Sequence, residues 1–588
     1  MAQAYCGSAG RSPVARRRAA AFSAAAGRAA AMAPKACDVC QRVTSKLTQC
    51  TQGGQPAALC KKCYEQAAPD PDPAAAPPEP ALQGRVLGAA GGVEGVRVGV
   101  KGLEKFTLSD DTGGFQLDGV LADLLAQAAT ELFELLCNRD PSGGCEAWLR
   151  SAAEAGDLPE AAAAMLRSAD IGAAVNEEAF VSMVTKASGR MTPRVLSAAG
   201  RDSGLVLSLS KAGFAPCCLP LGKAEQLARG VPLEATLQQV QASGKVDPAS
   251  GGKVVDEASG ASVTLAPGTQ LVKADGTPYE GEVNVSLSVI DATDEGSLEA
   301  MPGDFSASCV DGAAGQLESF GAMWVGLADD GGSELQLAKG SQGMELDFRS
   351  AAAVNGERTG AWPTLWEFDE ATGKWRQDAN AQLAVDGVVL PQAGQDPANV
   401  PVQRLDGSSV QAEEVPMEFI KGKKKGYKRN SYEDVPSMWT PEQYAKMFGK
   451  PTPKELKMTN IPRAGYWNCD APYITTFLRG RVLDEEGNPV AKANVWSAGI
   501  DYRGSSPKSS ANGEEGFSVL AQQGCSVNLH VLLPGAPGPD PTKPGPPERF
   551  RFGPFKTGPP GESKDVGALR LSKEARYTPP PPKSRPNA

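Results

Sequence analysis

The chain has 588 residues, a length that predicts about three to five domains. Its 59 Lys and Arg against 69 Asp and Glu give a net charge of −10, which argues against general binding of nucleic acid. A hydrophobic fraction of 41% excludes wholesale disorder, and the single histidine excludes a multi-histidine metal site. The sequence contains no run of 18 uncharged apolar residues, so no membrane-spanning helix is predicted.

The N-terminal residues 1–34 are rich in alanine and arginine, and no acidic side chain precedes Asp38. This composition is typical of an organelle transit peptide. Initiation at Met32 is an equally weighted alternative. Both alternatives exclude this extension from the fold. The compartment stays unknown: reduced cysteines downstream favour the cell interior, and the extension leaves organelle targeting open.

A cysteine cluster in residues 35–66 has the spacing C-x2-C-x9-C-x9-C-x2-C. Two CxxC pairs can place four thiolates around one Zn²⁺, and so short a segment needs the metal to fold. A redox motif or a pair of disulfides is the less favoured alternative. We therefore predict a structural zinc site; its ligands are Cys37, Cys40, Cys60 and Cys63, with Cys50 as either a free thiol or an alternative ligand.

The cysteine cluster resembles a plant-type B-box or treble-clef zinc finger. The resemblance rests on Cys37-Asp38-Val39-Cys40, the middle Cys50 and Ala57-Ala58-Leu59-Cys60-Lys61-Lys62-Cys63. It implies binding of a protein partner. The chain lacks the downstream histidines that complete a second zinc site in that family, which implies one zinc.

A Pro-rich linker at residues 67–80 precedes a predicted β-sandwich at 81–225. Its strands alternate apolar and polar residues, and Asp-Thr-Gly-Gly at 111–114 is typical of a hairpin turn. The predicted strands include Gly84-Arg85-Val86-Leu87, Gly95-Val96-Arg97-Val98-Gly99-Val100, Gly114-Phe115-Gln116-Leu117 and Leu205-Val206-Leu207-Ser208-Leu209-Ser210.

A helical insert at residues 119–200 interrupts this sandwich. Its apolar stripe predicts a core-facing helix, with a partner groove as the less favoured alternative. Further helices are predicted at 145–155, 158–169 and 176–187. The stripe comprises Leu121, Leu124, Leu125, Ala128, Leu132, Leu135 and Leu136.

A central β-rich domain is predicted at residues 240–415. Asp304, Asp369 and Glu370 suggest a glycosidase-type hydrolase or a calcium site, but carboxylates in such turns usually accept hydrogen bonds from their own backbone. Trp366 and Trp375 flank a turn, where core packing is favoured over a sugar-stacking platform.

The C-terminal region begins with a basic, mostly irregular connector at 416–470, which is a solvated loop or, alternatively, a nucleic-acid-binding patch. A second β-sandwich is predicted at 471–573, with the Pro-rich stretch 534–562 as one of its loops. His530 is predicted on a surface or half-buried strand position. The Pro-rich tail 574–588 is a candidate ligand for SH3 or WW domains.

The two sandwiches form an internal repeat. The same short segments occur in both. The first sandwich has Gly84-Arg85-Val86-Leu87 and Gly114-Phe115, and the second has Gly480-Arg481-Val482-Leu483 and Gly516-Phe517. Both resemble the carboxypeptidase regulatory-like domain, a prealbumin-like β-sandwich. Together with the central domain they resemble large bacterial proteins that carry such repeats, and this resemblance spans roughly 81–118 and 204–573. The resemblance to the domain implies a fold shared with carbohydrate-binding modules and no active site of the domain's own.

The sequence therefore predicts a mainly β protein with several β-sandwich domains, an α-helical insertion in the first and a small N-terminal four-cysteine zinc finger. The expected function is a non-enzymatic scaffold or binding protein. Zinc is its only expected cofactor, and a protein partner would bind to the finger and, as a second candidate site, to the Pro-rich tail. The alternatives are a carbohydrate-binding protein and a hydrolase that uses carboxylates of the central domain.

Overall fold

The computed structural model is built mainly from β-strands in several sheets, and the chain divides into two compact units, Met1–Pro78 and Glu79–Ala588. The residues that the structure describes are 35–36, 43–44, 48–52, 55–59, 82–139, 144–156, 176–185, 205–221, 233–350, 363–390, 392–393, 403–409, 454–513, 516–535 and 545–580. Among them, no helix is both long enough and apolar enough to cross a membrane.

The N-terminal unit contains two short antiparallel pairs of strands. Strand β1 (Lys35–Ala36) pairs with β2 (Val43–Thr44), and β3 (Thr48–Gln52) pairs with β4 (Gln55–Leu59). The linker predicted at 67–80 lies outside the described residues.

The first domain of the larger unit consists of two sheets, in the orders β11-β10-β7-β8 and β12-β5-β6, with β9 also paired to β5. Buried residues of both sheets, such as Val86, Val98 and Leu207, form one core. The domain extends past the expected end at 225, because β12 pairs in parallel with β5. The strands are β5 Leu82–Gly88, β6 Gly91–Gly92, β7 Arg97–Val100, β8 Phe106–Leu108, β9 Gly114–Leu117, β10 Val206–Ser210, β11 Cys217–Pro220 and β12 Leu233–Thr236.

The predicted helical insert lies between β9 and β10, as expected. It contains α1 (Val120–Arg139), α2 (Gly144–Glu154) and α3 (Glu177–Thr185). The helices predicted at 145–155 and 176–187 are thereby confirmed, whereas 158–169 lies outside the described residues. The core-facing stripe is also confirmed, because Leu124, Leu125, Ala128 and Leu132 are buried.

The central domain packs two large sheets around an apolar core. Their strand orders are β13-β18-β20-β19-β24-β23-β29, with β20 also paired to β29, and β14-β15-β22-β28-β25-β26-β27; β17-β16-β21 form a smaller sheet. A four-residue helix, α4 (Glu295–Leu298), follows β18. The strands are β13 Ala242–Val246, β14 Gly252–Asp256, β15 Ala261–Leu265, β16 Leu271–Lys273, β17 Pro278–Tyr279, β18 Val283–Ile290, β19 Ser306–Ser308, β20 Ala314–Ala328, β21 Leu335–Leu337, β22 Met344–Ser350, β23 Thr364–Asp369, β24 Lys374–Gln377, β25 Gln382–Val385, β26 Val388–Val389, β27 Gln403–Arg404, β28 Lys454–Ile461 and β29 Gly465–Pro472.

The structure differs from the expected irregular connector at 416–470. Residues 454–470 belong to the central domain, where β28 pairs with β22 and β25, and β29 pairs with β20 and β23. Side chains 466–471 of β29 are all buried, so the strand lacks the alternation that marks a half-exposed strand in a sequence. The basic run at 421–429 lies outside the described residues.

The last domain repeats the architecture of the first. Its sheets are β33-β30-β36 and β32-β31-β34-β35, and a 3-10 helix (Lys573–Ala575) follows them. The expected Pro-rich loop at 534–562 is wrong in part, because 545–556 form strand β35. The strands are β30 Thr475–Leu483, β31 Ala491–Gly499, β32 Ser509–Asn512, β33 Phe517–Gln522, β34 Ser526–Gly535, β35 Gly545–Lys556 and β36 Ser563–Arg570.

The start of the predicted Pro-rich tail lies against this last domain. The Tyr577 N–H donates a hydrogen bond of 2.8 Å to the Arg549 carbonyl, and Arg576 forms a bridge to Phe550. Residues 581–588 lie outside the described part of the chain.

Candidate functional site

Only one cysteine of the cluster lies among the described residues. Cys37, Cys40, Cys60 and Cys63 lie outside the described residues, whereas Cys50 lies in β3, opposite Ala57 of β4. Elsewhere in the described part of the chain, His, Cys, Asp and Glu side chains form no group of three or more suited to a metal ion.

A buried charged cluster lies where the three β domains meet, and Arg549 of β35 is at its centre. The Arg549 Nη1 lies 3.3 Å from Oε1 of Glu234 on β12 and 3.2 Å from Oε2 of Glu299, the residue that follows α4. A second, short hydrogen bond joins Nη2 of Arg549 to Glu299. Arg549 therefore connects the first, central and last β domains.

The local structure on each side of this contact places these groups. The α4 helix is capped by Asp294, whose side chain accepts a hydrogen bond from the Ser297 N–H, and Glu299 is its C-cap. On the last domain, β35 pairs with β34, so Arg549 lies opposite Leu532 and Arg551 lies opposite His530. Glu234 comes from β12, the parallel closing strand of the first sandwich.

Opposite charges compensate for burial in the cluster. Burial alone would raise the pKa of the Glu299 carboxyl, but the adjacent Arg549 outweighs it and lowers that pKa. Burial opposes the charge of Arg549, whereas Glu299 and Glu234 raise the pKa of its guanidinium. Both groups are therefore charged, and the pair satisfies the requirement that buried ions be matched.

The single histidine lies in the same cluster. The predicted strand is confirmed by β34, but the predicted surface or half-buried position is wrong, because His530 is 1% exposed. Residues 529–532 are all buried, since the sandwich core covers one face of β34 and the charged cluster covers the other. The sequence did contain a signal for a buried position, because His530 lies between the apolar residues Leu529 and Val531.

The His530 imidazole is neutral and serves as a hydrogen-bond acceptor. Burial, reinforced by Arg549, lowers its pKa to about 3. The Arg549 Nε donates a hydrogen bond of 3.3 Å to its Nδ1, which must therefore carry no proton. The ring stacks on Trp496 with centroids 5.3 Å apart, and the edge contact to Tyr577 is 5.4 Å. This environment holds the ring as a fixed, uncharged packing partner.

A second set of contacts joins the central and last domains beside this cluster. The Arg551 Nη1 lies 3.7 Å from Oε1 of Glu295, and its guanidinium lies 4.1 Å from the centre of the Tyr577 ring. The Tyr577 hydroxyl donates a short hydrogen bond to Glu295. Tyr577 thus anchors the start of the C-terminal tail in the junction.

A cavity of about 640 Å³ opens at the same junction, and its walls come from all three β domains. Apolar and polar side chains line it in nearly equal numbers. Lys508 and Asp304 also line it. Burial lowers the pKa of the Lys508 ammonium and raises the pKa of the Asp304 carboxyl. The sequence had indicated Asp304 as a candidate carboxylate but had not indicated Lys508, and it did not predict that both line one cavity.

The carboxylates considered for a hydrolase are held in turns or ion pairs. Asp369 accepts a hydrogen bond of 2.9 Å from the Ala371 N–H, and Asp304 accepts one of 3.1 Å from the Ser306 N–H, which confirms the predicted backbone contacts. Glu370 instead forms an ion pair of 2.7 Å with Lys101 of the first domain.

The tryptophans considered for a sugar platform are core residues. Trp366 and Trp375 are both 0% exposed, and Trp375 lies opposite Phe368, not opposite Trp366. The Trp366 Nε1 donates a hydrogen bond of 3.0 Å to the Asp470 carbonyl on β29. Core packing is confirmed, and neither ring can stack on a sugar at the surface.

No protein-family model matches the chain, and no curated protein matches it either.

Proposed function

We propose that this protein is a non-enzymatic binding scaffold, in which a body of three β domains carries an N-terminal zinc finger that binds a protein partner. The observation that carries the proposal is the convergence of the three β domains on Arg549. Because its main partner Glu299 comes from the central domain, independent movement of the central or last domain would leave the buried Arg549 without that partner. Three β domains held in fixed positions suit a binding scaffold better than a protein that works by domain movement.

The backbone of the N-terminal unit supports the zinc finger. Cys37 follows β1 directly, and Cys40 also lies in sequence between β1 and its partner β2. Cys60 follows β4, whose last residue, Leu59, pairs with Thr48 at the start of β3. Both CxxC pairs thus adjoin ends of paired strands, whereas Cys50 is inside a strand. This arrangement favours the set of four cysteines over one that includes Cys50.

The strand order of the two outer β domains supports the resemblance to carboxypeptidase regulatory-like domains. In the first, β5 pairs with β9 antiparallel and β12 parallel; in the last, β30 pairs with β33 antiparallel and β36 parallel. The other sheets, β11-β10-β7-β8 and β35-β34-β31-β32, also correspond strand by strand. Two copies of one small sandwich suit a structural role, since the resemblance implies no active site.

A comparison of partner capture tests the proposal. Tagged full-length protein and its Cys60→Ser variant are recovered from cells after cross-linking, and the captured proteins are quantified. We expect Cys60→Ser to lose a defined partner that the wild type captures, because the finger loses a zinc ligand. Cys309→Ser in the central domain is the matched control and should keep that partner.

Two outcomes would count against the scaffold. Equal capture by wild type and Cys60→Ser would remove the finger as the binding module. Equal loss from both cysteine variants would trace the effect to general instability, which near-ultraviolet circular dichroism of the buried Trp366, Trp375 and Trp467 would reveal.

A further inference from the structure

The cavity at the junction of the three β domains has the dimensions and lining of a small-molecule site. Its volume of about 640 Å³ lies within the roughly 300–1,000 Å³ usual for such pockets. Leu219 and Leu221 of the first domain, Met301 and Phe305 of the central domain and Ile500 of the last domain provide apolar walls. An apolar ligand body would bury surface against all three domains at once.

Most charged groups around the cavity already have partners. Arg549 is paired with Glu234 and Glu299, and Arg551 lies beside Glu295. The Arg503 guanidinium donates a hydrogen bond of 3.1 Å to the Ile500 carbonyl. Arg549 and Arg551 therefore need no ligand to balance their charge.

Lys508 is the exception. None of the described residues forms an ion pair or hydrogen bond with its ammonium, which lies 5.2 Å from the centre of the Trp496 ring. The attraction of Glu299 and Glu234 reaches it only at longer range, and burial disfavours its charge. A half-buried ammonium without a close anion gains from a ligand that supplies one.

We propose that this cavity binds a small organic monocarboxylate with an apolar body, whose carboxylate pairs with Lys508. The acidic lining residues Glu234, Glu295, Glu299 and Asp304 set the limit of one negative charge, because a polyanion such as a phosphate ester would be repelled. Asp304 accepts the Ser306 N–H through one oxygen. Burial raises the pKa of this carboxyl. The site is independent of the zinc finger, so its failure would leave the scaffold proposal untouched.

Calorimetric titration of the full-length protein tests the site with octanoate and its uncharged analogue octanamide. We expect octanoate to bind one per chain and octanamide to bind at least tenfold more weakly, since only the carboxylate pairs with Lys508. Lys508→Met keeps the length of the side chain but removes the charge, and should weaken octanoate binding by about tenfold to a hundredfold. Lys339→Met, at an exposed site, is the matched control and should not change it.

A second variant keeps the test decisive if Lys508→Met does not fold. Ile500→Trp retains Lys508 but fills part of the cavity, and should abolish octanoate binding. The proposal is overturned by no octanoate binding to wild type, by equal affinity for octanoate and octanamide, or by unchanged octanoate binding in Ile500→Trp.

Discussion

Arg549 shows how one side chain can hold several domains together. A buried guanidinium is costly to desolvate, and this one is only 6% exposed. The cost is offset by Glu299 and Glu234, each contributed by a different domain, and by the neutral ring nitrogen of His530. The neutral state of the histidine matters, because an imidazolium beside Arg549 would place two like charges in contact.

The titration of His530 follows from this environment. With the folded pKa lowered to about 3 and an unfolded value near 6.5, the unfolded chain binds the proton first as the pH falls. Stability from this group is therefore fully present above pH 6.5 and is lost towards pH 3, by at most about 1.4 kcal/mol per pH unit. Because the chain has one histidine, ¹³C-histidine NMR gives a single signal, which we expect not to shift between pH 8 and 5.

The matched control for this titration is the same sample in urea, where the histidine signal should titrate near pH 6.5. A sigmoidal shift near that pH in the folded protein would show a solvated imidazole and would contradict the buried cluster.

Turn residues and the alternation of apolar and polar side chains predicted most strands of the two outer domains.

The glycine of the shared Gly-Arg-Val-Leu strands is required for a physical reason. A Cβ on Gly84 would lie 2.3 Å from the Leu233 carbonyl oxygen and 2.8 Å from the Phe115 ring. A Cβ on Gly480 would meet the Gly567 carbonyl at 2.6 Å and the Phe517 ring at 2.9 Å. Both glycines thus allow two neighbours to approach: the closing parallel strand and the strand that carries Phe115 or Phe517.

The same reasoning failed where a strand is covered on both faces or is rich in proline. Strand β29 and the middle of β34 are buried on both sides, so a period of two is absent. In β35, Pro546 and Pro547 suggested a loop, yet Arg549 to Arg551 pair fully with β34. Sequence alone does not say which prolines lie on an edge strand, and β35 is at the edge of its sheet.

The helical insert has a core distinct from that of its sandwich, which yields a local stability prediction. Leu149 of α2 is 0% exposed and packs in the cluster that contains Leu132 and Phe180. We expect Leu149→Ala to cost about 2–5 kcal/mol of local stability. Hydrogen exchange should therefore accelerate in α2 and α3 but not in β7 and β10.

Ser151→Ala, at an exposed position of the same helix, is the control and should leave exchange unchanged. An equal loss of protection in β7 and β10 would mean that insert and sandwich unfold as one unit, against the separate cores described above.

In the whole molecule, the assembly of the β domains depends on contacts that no local pattern encodes. Arg549 and Glu234 are 315 positions apart, and Lys101 and Glu370 are 269 apart. Each is an ordinary surface-type residue in its own segment. The mainly β class and many of the strands could therefore be predicted from composition and periodicity, whereas the charged cluster and its cavity required the tertiary structure.

The zinc finger, by contrast, was predicted from spacing alone, and a closed site of four cysteines has no coordination position open for catalysis. A segment of this size without a metal could not bury enough apolar surface to fold. The central claim, a β-domain scaffold with one structural zinc, therefore depends on the metal content of the N-terminal unit.

Native mass spectrometry of the full-length chain tests that claim most directly. We predict the polypeptide mass plus one zinc for the wild type, no zinc for Cys60→Ser, and one zinc for the control Cys309→Ser. A wild-type chain with no zinc or with two, or a Cys60→Ser chain that keeps its zinc, would contradict the account.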